Sequence, residues 1–124
     1  MDLIGYARVV PRENADEALA HQRARIEVYC KEQGHNLVNF FTETISAEFN
    51  LSQGRSELEE AIQACSRNVG LIVIRLDRLS SNKKVLTRIF DQCQTRGIKI
   101  VAVAGPKDPS EIKSSIEVTV IPGK

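Results

Sequence analysis

Two stretches of this chain set charged side chains at the ends of apolar runs: Ile4, Gly5, Tyr6, Ala7, Arg8, Val9, Val10 near the start, and Ile74, Arg75, Leu76, Asp77, Arg78, Leu79 further on. An arginine so placed presents a planar, permanently charged fork that suits bidentate contact with oxyanions. The plainer reading is a surface ion pair. Asp77 can pair with Arg78 or cap a helix that follows it. Ser46, in a polar stretch, reads as a hydrogen bonder that stabilises a loop. Cys30, Cys65 and Cys93 are odd in number and far apart, so they suggest neither a disulfide framework nor a metal site and read as small apolar residues of the core or its boundary. His21 and His35 lack ligand spacing, and no metal or cofactor is expected. Arg23, Arg25 and Lys31 read as a solvated helix face.

Composition bounds what these residues can do. A length of 124 residues suits one domain, and 42% hydrophobic with 27% charged residues suits a globular chain in water. No apolar run approaches the length that spans a bilayer, and the first ten residues lead into Pro11, Arg12 and Glu13 rather than a small-residue cleavage site. A cytoplasmic location is expected. Proteins whose affinity rests on many phosphate contacts carry a visible basic excess, whereas the formal net charge here is +1. Any contact with a DNA backbone should be weak for the chain alone.

The elements that must position these groups alternate strand and helix. Leu3 to Arg8 reads as a first strand, and Asn14 with Glu17 three positions later resembles a capping box. Ala15, Ala18, Leu19, Gln22, Ile26, Tyr29 and Cys30 recur at spacings of three and four, which predicts one buried helical stripe ending at Gly34. Asn36 to Thr42 reads as a second strand and the polar run from Glu43 to Arg55 as a long loop. Ser56 and Glu59 resemble another box, opening a helix buried through Leu58, Ala61, Ile62 and Cys65. Gly70 to Leu76 is the most apolar run and predicts a central strand. Val85, Leu86, Ile89, Phe90 and Cys93 mark a third helix closed by Gly97, Ile98 to Ala104 a fourth strand, and Ile116 to Ile121 an antiparallel edge strand after a polar turn. Such alternation implies right-handed crossovers and a mostly parallel sheet of about four strands with helices on both faces, an α/β domain of three layers. In these sheets the functional crevice lies outside the carboxyl ends of the strands, where Arg8, Asp77 and Arg78 fall.

Several separated matches, in order, carry a resemblance to a known family. Ile4 to Arg8 is similar to the opening strand of the serine site-specific recombinases, the resolvases and invertases, and Ala20 to Cys30 to their helix with its glutamine, here Gln22. Glu43 and Ser46 stand where that family has an acidic residue and a serine, with Ala47 in place of its usual glycine. Gly54 to Leu58 resembles its arginine-led helix start, and Leu76 to Leu79 its leucine, aspartate, arginine, leucine signature. The resemblance runs from Leu3 to Ala104 and implies a resolvase-like fold. It further implies a mechanism in which a serine at the end of the first strand attacks a DNA phosphodiester without a metal, while arginines hold the phosphate. The matching arginines are Arg8, Arg55 and Arg78, with Asp77 placed to orient an arginine or assist the leaving oxygen.

Two departures bear on that mechanism. The position of the attacking serine holds Val10, which has no nucleophilic atom, and the signature's further arginine is replaced where Leu79 leads into Ser80 and Ser81. A third lies at the carboxyl end, where Pro106 and Pro109 interrupt the chain and no helix-turn-helix is read, so that residues 1–124 read as a single catalytic-type domain. The expectation is a pseudoenzyme of DNA recombination, or a relic of a mobile element. It would act by binding, either to a full-length recombinase or to itself. The rival is a component of an active recombinase in which Ser46, Ser80, Ser81 or another subunit supplies the attack. A nucleotide-binding domain ranks below both, because Arg8, Val9, Val10, Pro11 is not a glycine-rich phosphate loop.

Overall fold

A computed structural model describes residues 1–9, 11, 14–44, 57–80 and 83–105. Strands β1 (Asp2–Val9), β2 (Asn36–Thr44), β3 (Val69–Val73) and β4 (Ile100–Ala102) form one sheet in the order β2-β1-β3-β4, with every pair parallel. Helices α1 (Ala15–Gln33), α2 (Glu57–Ala64) and α3 (Lys83–Thr95) alternate with the strands. The result is the expected α/β architecture, a parallel sheet alternating with helices. The expected edge strand from Ile116 to Ile121 lies outside the described residues, as does most of the polar run after Thr44.

Period-two alternation along β1 divides the core. Leu3 faces Ile26 and Cys30 of α1, joined by Ile72, while Ile4 and Tyr6 face a larger cluster built from Leu58, Ala61 and Ile62 of α2 and Leu86, Ile89, Phe90 and Cys93 of α3. One helix therefore covers one face and two cover the other. Gly5 keeps α1's side of β1 flat, because a Cβ there would run into the ring of Phe40. The α1 stripe behaves as its spacing predicts, with Gln22, Ile26 and Cys30 its buried line.

Helix ends are where local sequence rules meet tertiary contacts. Gly34 and Gly97 both take a left-handed φ, and the next residue bonds back into the helix, His35 N–H to the Cys30 carbonyl (2.8 Å) and Ile98 N–H to that of Cys93 (2.8 Å). The capping box expected at Asn14 does not form. Its side chain makes no cap bond; its carbonyl accepts from Ala18 N–H at 3.0 Å, and the first turn carries Asp16 and Glu17. Ser56 lies outside the described residues, and the carboxylate of Glu43 accepts from the Leu58 N–H near the start of α2. At the other end of α2, Arg96 donates through Nη1 to the Ile62 carbonyl and through Nη2 to that of Cys65, both at 3.0 Å. A short helix is thus held by an anion at its positive end and a cation at its negative end.

Three strand ends differ from expectation. β2 runs on to Thr44, while β4 is only Ile100–Ala102. β3 stops at Val73 instead of reaching Leu76, although its ladder bonding continues to the Ile74 carbonyl, which accepts from Ala104 N–H at 2.9 Å. Beyond it Leu76–Arg78 forms a 3-10 turn that carries Leu76 and Leu79 into the core. Burying each leucine contributes ~1.5–3 kcal/mol, more than the ~0.5–1.5 kcal/mol of one further ladder bond. The turn wins over the strand. Cys30, Cys65 and Cys93 are free and buried, and burial pushes the thiols of Cys65 and Cys93 up to about 11. No helix among the described residues is long and apolar enough to cross a membrane.

Candidate functional site at the carboxyl edge of the sheet

Tyr6 and Arg8 are two residues apart on β1 and so project to the same face of the sheet, and Arg8 stands opposite Glu43 in the β1–β2 register. All three side chains are buried, with Arg8 only 7% exposed. A buried guanidinium and a buried carboxylate are tolerated only where neighbouring charges and hydrogen bonds replace lost water. Glu43 has such partners: its Oε1 accepts from the Tyr6 hydroxyl at 2.7 Å and from the Leu58 N–H at 3.1 Å. Burial and the Glu43 carboxylate together push the Tyr6 phenol well above its usual range. The Tyr6 hydroxyl therefore keeps its proton and donates it to Glu43.

The backbone at this strand end is also fastened from the other face. Gln22 of α1 donates Nε2 to the Arg8 carbonyl at 3.1 Å. Its Oε1 is buried with no hydrogen-bond partner. Arg78 shows a similar feature, since its Nε is buried without an acceptor. Unsatisfied buried polar atoms are rare in folded proteins, since each costs the desolvation of the group.

The end of β3 is built differently. The β1–β3 pairing ends at Tyr6 and Val73, and the chain passes through Ile74 and Arg75 into the Leu76–Arg78 turn. Among the described residues Asp77 pairs with Arg75 and not with Arg78, with Nε and Oδ2 3.5 Å apart; the residues immediately before α3 lie outside the described residues. Both side chains are about half exposed (47% and 56%), so the pair is worth ~0–1 kcal/mol. Arg75 also lies against Gly105, where a Cβ would come within 3.3 Å of its guanidinium. Ser80 is buried, at 4% exposure.

Of the residues singled out by sequence, Arg8, Asp77 and Arg78 lie at the carboxyl edge of the sheet, whereas Val10, Ser46, Arg55 and Ser81 lie outside the described residues. The sequence reading passed over Tyr6 and Arg75. Tyr6 left one signal: a phenol on a strand flanked by aliphatics must find a buried acceptor.

Comparison with known proteins agrees with this architecture. Residues 3–121 match the family described as resolvase, N-terminal domain. Among curated proteins, none matches the chain by sequence. Among solved structures, the C-terminal catalytic domain of ISC1926 TnpA, an IS607-like serine recombinase, superposes with a TM-score of 0.70 at 23% identity, covering 98% of this chain and 81% of that one. The N-terminal catalytic domain of TP901-1 integrase gives 0.70 at 20% identity over 97% and 90% of the two chains. A serine recombinase from Sulfolobus solfataricus gives 0.66 at 20% identity over 96% and 79%. At these identities the superpositions speak for the fold, while the family match spans nearly the whole sequence: this chain belongs to the resolvase N-terminal domain family.

Proposed function

We propose that this is a non-cleaving member of its family that holds a DNA phosphate weakly through Arg8, Arg55 and Arg78 and acts by association, with a full-length recombinase or with a second copy of itself. The observation that carries the reading is Val10. It directly follows β1, at the position where the resemblance calls for the attacking serine, and an aliphatic side chain cannot form a phosphoester. Ser81, in place of an arginine, removes a charge that would steady a phosphoryl transition state. Nearby hydroxyls offer little substitute. Burial and the bond to Glu43 keep the proton on Tyr6, and Ser80 is buried.

The anchoring of Arg8 by Gln22 favours a second reading enough to test it: a component of a working recombinase whose nucleophile comes from Ser46, Ser81 or another subunit. Incubation with supercoiled DNA carrying candidate sites, followed by a denaturing gel, separates attack by a serine of this chain from the proposal, and a recombination assay with and without this chain beside an added recombinase tests the other-subunit form. The expected result is no covalent protein–DNA adduct, with or without an added recombinase supplying intact sites. An adduct on this chain overturns the proposal, and its loss in Ser46→Ala or Ser81→Ala would identify the substitute.

A further inference from the structure

β2 stands at one end of the sheet order, and among the described residues no strand pairs with its outer side. Such an edge offers a row of N–H and C=O groups to any strand that approaches, including the same strand of a second copy. Composition gives β2 little protection. Val38, Phe40, Phe41, Thr42 and Thr44 favour strands, there is no proline or lysine, and its one charged residue, Glu43, is buried. The backbone supplies what composition lacks. The β1–β2 register slips, with Leu3 facing Leu37 but Ile4 facing Asn39, so Val38 is the extra residue of a bulge and stands 52% exposed.

The bulge changes which groups face outward. Residues along a strand turn their backbone bonds alternately to one side and the other. Asn36 gives its N–H to the Met1 carbonyl (2.9 Å), so an unbroken strand would turn Val38 and Phe40 toward β1 as well. The extra residue reverses the alternation: Asn39 and Phe41 face β1, and the Phe40 N–H points to the open edge. There it donates to Oδ1 of Asn39 at 2.8 Å. The bulge also lets Leu37 and Phe40, an odd number of positions apart, join the same cluster against α1, where the Arg23 guanidinium lies over the Phe40 ring, 5.0 Å from its centroid. The Phe40 amide is thus held at the edge by its own ring and is already engaged by a side chain.

We infer that the bulge at Val38 and the Asn39 side chain close the outer edge of β2 to strand pairing with a second copy of this chain. A pairing strand needs the Phe40 N–H as a donor and needs edge groups at regular spacing; Asn39 occupies the first and the bulge breaks the second. By the same alternation Thr42 also turns its N–H outward, so without the Asn39 oxygen two successive donors stand open. The inference is independent of the phosphate-holding reading, and it confines any self-association of the native chain to other surfaces.

The test uses Asn39→Ala, which removes the acceptor from an exposed position and adds little apolar surface, and Asn39→Asp, which keeps an oxygen there. Circular dichroism first shows that each is folded. Exchange of the Phe40 amide is read by NMR, and mass by sedimentation velocity, both over a concentration series. Asn39→Ala is expected to speed Phe40 exchange about fivefold in dilute solution. It should also sediment toward dimer mass at concentrations where the native chain does not, and regain Phe40 protection as it does so. Asn39→Asp should exchange within about twofold of the native chain; its added charge itself opposes pairing, so exchange alone is compared. A folded Asn39→Ala that sediments as the native chain does at every concentration overturns the inference. So does association without renewed protection of Phe40, which would put the contact elsewhere, and so does Phe40 protection that rises with concentration in the native chain. If Asn39→Ala does not fold, Asn39→Thr, a better strand former without an amide oxygen, is read by the same criteria.

Discussion

The ends of β1 and β3 lie side by side, yet they hold their charges in opposite ways. At β1, Arg8 is buried, its carbonyl is fastened by Gln22 and its cross-strand neighbour Glu43 accepts two hydrogen bonds. At β3, Arg75, just before the 3-10 turn, and Asp77 within it meet at 3.5 Å with both side chains about half exposed. Both ends carry an arginine and a carboxylate, so residue type alone does not separate them. Burial does: in low dielectric a charge must be fixed by several partners, whereas water competes for a charge at the surface. One end is preorganised, and the other is free to adapt.

The largest expected effect that would sharpen this contrast is Glu43→Ala, which strands the Tyr6 hydroxyl and the Leu58 N–H and should cost roughly 2–4 kcal/mol in urea unfolding. Gln22→Ala leaves the Arg8 carbonyl without its donor but also removes an orphaned amide oxygen, so a smaller loss of about 1–2 kcal/mol is expected by the same measurement. Tyr6→Phe should cost about 1 kcal/mol at neutral pH. Its signature lies in alkali. Because the folded phenol titrates above an unfolded tyrosine, its contribution is complete below the unfolded value of about 10 and is lost as pH rises beyond it. The native chain should therefore lose stability above that pH more steeply than Tyr6→Phe does. Least should come from Asp77→Ala, within ~0.5 kcal/mol and fading further in salt. A cost for Asp77→Ala equal to that for Glu43→Ala would break the comparison between the two ends.

Much of the fold was legible because it rests on short-range periodicity. The α1 stripe through Gln22, Ile26 and Cys30, the α3 stripe through Leu86, Ile89, Phe90 and Cys93, and the glycine stops at 34 and 97 all follow from residues within a turn or two of one another. Less legible were the bonds that join distant parts of the chain. Asn14 had the right type for a side-chain cap and did not use it, and the α2 amide at Leu58 has an acceptor 15 positions earlier in the chain, which no local rule could name. β3 ended early because Leu76 and Leu79 gained more from the core than a longer ladder offered.

The candidate site divides in the same way. Sequence by itself determined the alternating, mostly parallel class of the fold and put Arg8, Asp77 and Arg78 at one edge, since such alternation places the ends of the strands together; the strand order came from the structure. It also determined that Val10 cannot attack phosphorus. Tertiary structure alone decided the partners: Tyr6 with Glu43 across 37 positions of chain, Asp77 with Arg75 instead of Arg78, and Gln22 on the Arg8 carbonyl. The physical reason is distance along the chain. Periodicity reports which face a side chain occupies, but a hydrogen bond needs two atoms within about 3 Å, and only the packed sheet and helices bring them there.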